Sequence, residues 1–110
     1  MPMYLFEGKY TVDAFKRLVE KPTDRTEIVR KTVEAAGGKL HHLFFAFGDY
    51  DVVALVEYPD NESVAAQSMA VAAGGSLSAG RTTVLMSYPE AVRAMKKAQA
   101  VGKAYTPVKG

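Results

Sequence analysis

The period of the apolar positions changes several times along this chain, and each change predicts a new element. An aromatic and aliphatic run at Met3–Lys9 has the length and composition of a strand. Apolar residues then recur at helical spacing over residues 11–22 and again over residues 24–37, which predicts one connection made of two helical parts. The next two apolar runs, KLHHLFFAF and DVVALVEY, predict two strands joined by a hairpin.

The ends of the helical runs carry residues that satisfy free backbone groups. The predicted N-caps are Thr11, Asp24, Asp60 and Ser87. Glu27, three residues after Asp24, would complete a capping box with it. Glycine pairs at residues 37–38 and 74–75 would end two helices in the left-handed conformation, and the last helix is predicted to end at Val101.

The order of these elements predicts an α+β fold of the ferredoxin-like βαββαβ kind with an extra C-terminal helix. The last strand is predicted to begin at Gly80. The four strands would form an antiparallel-type sheet in the order 4-1-3-2 with the helices on one face, and strands one and three are expected to be parallel neighbours. Residues 1–102 would form a single domain that includes the C-terminal helix, and residues 103–110 a flexible basic tail.

Both faces of the predicted sheet are apolar. In the second strand, side chains that alternate between the two faces would place Leu40, Phe44 and Ala46 on one face and Leu43, Phe45 and Phe47 on the other. In the third strand, they would place Val52, Ala54 and Val56 on one face and Val53 and Leu55 on the other. A lone copy would then expose more apolar surface than monomers usually tolerate. The pattern therefore predicts a homodimer or higher oligomer that forms through the sheet face. In the alternative, the C-terminal helix folds back over that face.

Charge and composition exclude several classes of partner. The chain has fourteen Lys and Arg against twelve Asp and Glu, and two of the lysines, Lys103 and Lys109, lie in an acid-free C-terminus. The chain before these two lysines has no net charge and lacks the clustered basic face of a nucleic-acid-binding protein. No run is apolar enough for a membrane helix and no secretion signal opens the chain, so a cytoplasmic location without a membrane partner is expected. The absence of cysteine excludes disulfides and thiolate chemistry.

Four polar residues interrupt the apolar strands, namely Glu7, His41, His42 and Glu57. A three-residue turn would pair His41 with Glu57, whereas a two-residue turn would pair His42 with it. Either pairing is the geometry of a catalytic general base whose tautomer is held by a carboxylate. Because strands one and three are predicted to be parallel, Glu7 would join this cluster. In the alternative, the residues form an ion pair that reaches water at the sheet edge.

The turn between the second and third strands carries further candidates. A loop of about two to four residues would place Gly48 or Asp49 at positive φ. Tyr50 and Asp51 would frame the mouth of a ligand pocket, or Asp49 and Asp51 would hydrogen-bond the backbone of the turn. Arg81, in the last strand, would anchor a carboxylate ligand or an acid at an interface.

No metal or cofactor site is predicted. Adjacent His41 and His42 would point to opposite faces of a regular strand and so could not share one ion. No phosphate-binding glycine motif and no nucleophile elbow occurs in a strand-to-helix setting. The tract GGSLSAG is predicted to be a loop, since no lysine follows it.

Three stretches, MPMYLFEGKYT, FGDYDVVALVEYPDNE and AGRTTVLMSY, resemble the GYD-domain family, whose name comes from a Gly-x-Tyr-Asp turn. That turn is Gly48–Asp51 here, and Pro59–Asp60 follows at the expected place. The resemblance covers about residues 1–88. It implies a ferredoxin-like fold of the dimeric α/β-barrel kind, associated as dimers or higher oligomers, and it implies no established activity.

Three functional hypotheses follow. The first is a small homo-oligomer that binds a small, partly apolar ligand between its sheet and its helices, with no catalysis assigned. The second is a cofactor-free monooxygenase or isomerase in which His41 or His42 is the base and Glu57 orients it. The third is a regulatory subunit whose ligand is another protein.

Overall fold

The computed structural model describes residues 1–109, which form four strands and four helices. In chain order these are β1 (Met3–Tyr10), α1 (Val12–Glu20), α2 (Thr26–Ala35), β2 (Lys39–Phe45), β3 (Val52–Glu57), α3 (Asn61–Ala73), β4 (Leu77–Leu85) and α4 (Tyr88–Ala104). The α+β class and the predicted order of elements are confirmed. The two helical parts before β2 are separate helices.

The helix ends follow the sequence closely, with one exception. The side chains of Thr11, Asp60 and Ser87 each accept a hydrogen bond from a backbone amide in the first turn of the following helix. Gly37 and Gly75 have φ angles of 81° and 77°, as predicted for helix stops. Arg25, not Asp24, is the N-cap residue of α2. The Asp24 side chain reaches two residues forward instead, and accepts from the Thr26 amide and hydroxyl.

The sheet has the order β2-β3-β1-β4, which is the predicted order 4-1-3-2 read from the opposite edge. All three neighbouring pairs are antiparallel, so the prediction that strands one and three are parallel is wrong. The first crossover makes β1 and β2 parallel to each other. Since β3 returns through a hairpin and inserts between these two strands, it runs antiparallel to both.

Helices α2 and α3 cover one face of the sheet, which we call the inner face. The buried core consists of Tyr4, Val33, Leu40, Ala54, Val56, Tyr58 and Val64. The Tyr4 hydroxyl donates a 2.7 Å hydrogen bond to Asn61, which connects β1 to the start of α3. Tyr58 is fully buried, and its burial raises the pKa of the phenol to about 12. The Tyr58 ring is therefore a neutral part of the core at physiological pH.

A bulge in β2 changes which side chains share a face. The pairing with β3 shifts between Leu40 and His42, with His41 as the extra residue. Leu40 and Leu43 both face inward, because each pairs with a core residue of β3. Phe44 consequently lies on the opposite face, which we call the outer face. The predicted grouping of Leu40 with Phe44 is therefore wrong, since one inserted residue reverses the alternation along the rest of the strand.

The connection between β2 and β3 spans residues 46–51, and residues 47–50 lie inside its closing hydrogen bond, in agreement with the predicted loop of two to four residues. It closes through a 2.7 Å hydrogen bond from the Ala46 amide to the Asp51 carbonyl. Neither Gly48 nor Asp49 has a positive φ angle, so that prediction is wrong. A loop of this length can reverse the chain without the left-handed residues that the tightest hairpins need.

The C-terminal part of the chain differs from its prediction in two ways. β4 begins at Leu77 instead of Gly80, and α4 continues through Gly102 to Ala104 instead of ending at Val101. A glycine costs a helix only about 1 kcal/mol, so it does not end one without a further stop signal. α4 has no buried residue, so it does not fold back over the sheet. Within residues 1–109, no helix has both the length and the apolarity needed to cross a bilayer.

Gly38 is the position where the fold leaves no room for a side chain. A Cβ atom there would lie 2.5 Å from the Glu57 carbonyl oxygen and 2.7 Å from the Tyr58 ring. We expect Gly38→Ala to lower the free energy of unfolding by about 1–3 kcal/mol, the usual cost of overpacking. The matched control is Gly48→Ala, since nothing lies within 4 Å of that Cβ position. Equal urea midpoints for the two variants would contradict this prediction.

Candidate functional site

A cavity of about 110 Å³ lies between the inner face of the sheet and the helices α2 and α3. Apolar side chains from strands and helices line most of it, among them Phe6, Val29, Val33, Ala54, Val56 and Val71. An apolar cavity of somewhat larger volume, about 150 Å³, is known to hold a benzene ring. The space under the helices therefore suits a small ring or a short branched chain.

A few polar residues complete the lining of the cavity. They are Tyr10, Arg25, Thr32, Gln67 and Ser76, and the lining contains no Asp or Glu. A second concavity, of about 420 Å³, shares Tyr10, Arg25, Val29 and Val52 with the cavity and runs along the α1–α2 connection. We call this second concavity the groove. Arg25 thus stands where the cavity and the groove meet.

The outer face carries the His–Glu pair that the sequence predicted. The His41 Nε2 and the Glu57 Oε1 are hydrogen-bonded, and about a quarter of each side chain is exposed. Neither predicted register produces this contact, because Glu57 pairs with Lys39 in the ladder. His41 reaches the carboxylate because it is the extra residue of the bulge.

The His–Glu pair and the cavity lie on opposite faces of the sheet. Val56 lines the cavity, and Glu57 follows it directly in β3. Successive side chains of a strand point to opposite faces, so the Glu57 carboxylate points away from the cavity. A ligand held in the cavity would therefore not contact the His41 imidazole.

His42 lies on the outer face but takes no part in the pair. Its ring stacks on Phe44, with 5.9 Å between the ring centroids and an angle of 12° between their planes. The bulge places both histidines on the outer face, contrary to the prediction for a regular strand. Even so, residues 1–109 contain no group of three or more His, Cys, Asp or Glu side chains that could hold a metal ion.

Glu7 does not join the His–Glu pair. Its partner in β3 is Val53, whereas Glu57 pairs with Met3 at the other end of the same two strands. The predicted cluster of Glu7 with Glu57 and a histidine is therefore wrong. The cause is the antiparallel direction of β1 and β3, which places residues late in each strand at opposite ends of the sheet.

Glu7 forms a separate polar cluster with Arg81 and Tyr50. The Arg81 Nη2 donates a 2.9 Å hydrogen bond to the Glu7 Oε1, and the guanidinium carbon lies 5.4 Å from the centroid of the Tyr50 ring. The hydrogen bond from Arg81 to Glu7 raises the pKa of the guanidinium above its ordinary value. Arg81 was predicted to anchor a carboxylate ligand or an acid at an interface, and the acid that it contacts in this structure is Glu7 of the same chain. Because more than half of the Arg81 side chain is exposed, the ion pair adds little stability.

Asp51 lies apart from this cluster, although it follows Tyr50 directly. Its side chain is buried, and its Oδ2 accepts a 2.9 Å hydrogen bond from the backbone amide of Tyr10. Its own amide donates to the Gly8 carbonyl at 2.9 Å. Of the two predicted roles for Asp51, the structure thus shows hydrogen bonding to the backbone. A ligand-binding role for Asp51 stays a prediction.

The sequence predicted a ligand between the sheet and the helices, but it did not reveal Arg25 or the other residues that line the cavity. In the sequence, Arg25 is one of fourteen basic residues, and no local signal separates it from the others. The lining of the cavity comes from β1, α2, β3 and α3, which lie far apart along the chain. Only the packing of these elements brings them together.

Comparison with known proteins identifies a family and a fold. A family model described as the GYD domain matches residues 4–97, which extends the predicted match into α4. No curated protein matches the sequence. Among solved structures, the crystal structure of MtbAldR is similar, with a TM-score of 0.60 and 14% identity over 78% of this chain. The match covers 53% of that protein, so this chain spans about half its length, and the likeness concerns the fold alone.

Proposed function

We propose that this chain, which belongs to the GYD-domain family, is a self-associating protein that binds a small, partly apolar ligand between its sheet and its helices. The observation that carries the proposal is the cavity of about 110 Å³ beneath α2 and α3. An apolar concavity with a few polar groups is the usual form of a small-molecule site. We assign no catalytic step to it, and we place the protein in the cytoplasm, as the sequence predicts.

The ligand part of the proposal can be tested by filling the cavity. Val71 lines it from α3 and is only partly buried, so a larger side chain there should be tolerated. We expect Val71→Phe to weaken binding of benzyl alcohol at least about tenfold, since the added ring would occupy the space of the ligand. Binding can be followed through the NMR shifts of the Val33 and Ala54 amides. The matched control is Met69→Phe on the same helix, where the side chain is 71% exposed.

Two results would contradict the ligand proposal. One is that benzyl alcohol shifts none of the cavity amides of the unmodified protein at millimolar concentration. The other is that Val71→Phe and Met69→Phe bind the probe equally well. Either result would mean that the space between the sheet and the helices does not act as a binding site.

The outer face supports the self-association part of the proposal. Its centre is apolar, with Leu5, Phe44, Val53 and Leu55 on adjacent strands, and no helix formed by residues 1–109 covers it. The His41–Glu57 and Glu7–Arg81 pairs flank this centre. A second copy of the same face, related by a two-fold axis, would remove the apolar centre from water.

The exposed helix α4 adds to this interface. Four strands of six to nine residues, about 4.8 Å apart, present a face of roughly 480 Å². A stable interface buries about 800 Å² on each partner, so the sheet face alone supplies roughly 60% of that area. α4 carries Tyr88, Val92 and Met95 at helical spacing, and all three are exposed. We propose that this stripe packs against the second copy and supplies the remaining area.

The other two hypotheses have less support. A monooxygenase or isomerase that uses His41 and Glu57 would need its substrate on the outer face, because the cavity lies on the other side of the sheet. That face is also the one we assign to self-association. The hypothesis of a regulatory subunit needs a partner protein, and we assign the apolar centre of the outer face to a second copy of this chain instead.

A further inference from the structure

We infer that the ligand of the cavity is a small anion, a monocarboxylate with a compact apolar body. This inference rests on the proposed function and specifies the chemical class of its ligand. The observation behind it is that, among residues 1–109, Arg25 is the one charged residue in the lining of a mostly apolar cavity whose other polar lining residues are neutral.

Arg25 has no acidic partner among residues 1–109. The ion pairs in this part of the chain use Arg17, Arg30, His41 and Arg81 as their basic members. A guanidinium that is partly buried without an acid loses hydration and gains no pairing in return. Arg25 is partly buried in this way. A bound carboxylate would supply the missing partner, and the guanidinium fork matches the two oxygens of that group.

The carboxylate next to Arg25 in sequence is held by other groups. The Asp24 Oδ1 accepts hydrogen bonds from the Thr26 hydroxyl at 2.6 Å and from the Thr26 amide at 3.0 Å. These bonds lower the pKa of Asp24, and the side chain lines the groove, not the cavity. Its hydrogen bonds to Thr26 hold it at the start of α2, which leaves the side of Arg25 that faces the cavity without an acid.

The positions of the lining residues give the ligand an orientation. Arg25 stands where the cavity meets the groove, so the carboxylate would lie at this junction. The apolar body would extend inward between Val33 and Ala54, and the volume of about 110 Å³ limits it to roughly the size of one ring. An amine of the same shape would be repelled by Arg25 and would find no acid in the lining.

Three probes of one shape test the inference, namely benzoate, benzyl alcohol and benzylamine, each titrated while the NMR shifts of the Val33 and Ala54 amides are followed. We expect benzoate to bind at least about tenfold more tightly than benzyl alcohol, as a charge-assisted contact would give. Benzylamine should bind most weakly. Arg25→Gln should remove the preference for benzoate and change benzyl alcohol binding less than about twofold. Arg25→Lys keeps the charge and should retain part of the preference.

The control variant is Arg30→Gln, on the same helix but outside the lining, and it should bind all three probes as the unmodified protein does. If benzoate and benzyl alcohol bind the cavity equally well, the inference about the anion is wrong and the proposed function stands. If Arg25→Gln keeps the full preference, the inference is also wrong. If none of the probes shifts the cavity amides, both the inference and the proposed function fail.

Discussion

Leu55→Glu should convert the proposed self-associated form of the protein into single chains. Leu55 lies at the centre of the outer face, between Leu5 of β1 and His42 of β2. In a two-fold interface the substitution would bury two carboxylates without partners, one from each copy. We expect the dissociation constant to rise at least about a hundredfold, equivalent to about 3 kcal/mol. In a single chain the new carboxylate would face water, so the fold should be retained.

Sedimentation at micromolar concentration measures this effect. The unmodified protein should sediment at twice the chain mass of 11.9 kDa or more, and Leu55→Glu at the chain mass. Met69→Glu adds the same charge at an exposed site on α3 and should leave the association unchanged. Self-association would be refuted by an unmodified protein that sediments as one chain. An unaltered dissociation constant for Leu55→Glu would show that copies associate through another surface.

Asp51→Ala should cause a large loss of stability. β3 begins at Val52, so the backbone amide of Tyr10 lies beyond the last ladder pair between β1 and β3. The carboxylate of Asp51, which is 6% exposed, accepts the hydrogen bond that this amide would otherwise lack. Removing a charged acceptor from this partly buried donor costs about 2–3 kcal/mol. For a domain of this size, that is a fall of roughly 10–20 °C in the melting temperature.

Two further variants separate the hydrogen bond from a general effect of mutating the loop. Asp51→Asn keeps an acceptor oxygen and should cost less than about 1 kcal/mol, since a neutral hydrogen bond can form in its place. Asp49→Ala removes an exposed carboxylate from the same loop and should change stability by less than about 0.5 kcal/mol. Melting followed by circular dichroism gives all three values. If Asp51→Ala and Asp49→Ala have the same melting temperature, the hydrogen bond to the Tyr10 amide is not what Asp51 contributes to stability.

The predictions that succeeded rest on short stretches of sequence. Three N-caps and the two glycine stops were identified correctly because each depends on a few neighbouring residues. The contact between His41 and Glu57 was also predicted, although from registers that the structure does not have. It forms because the bulge moves His41 toward the carboxylate, and no pattern in the apolar run KLHHLFFAF marks that bulge.

The predictions that failed depend on how distant strands meet. Placing Glu7 beside Glu57 required the relative direction of β1 and β3, which follows from the whole βαββαβ path. The grouping of Leu40 with Phe44 required a regular β2 strand. Arg25 became a candidate only when α2 packed over the sheet and closed the cavity.

By itself, the sequence determined the helices and strands, their order, the apolar character of both sheet faces, and the family through its Gly48–Asp51 turn. These properties arise from local spacing and from the chemistry of neighbouring residues. The tertiary structure decided which polar residues meet, which face remains open, and where a cavity lies with a single cation in its lining. The physical reason is that strand register and helix packing depend on contacts between residues far apart in the chain, and a shift of one residue moves a side chain to the other face.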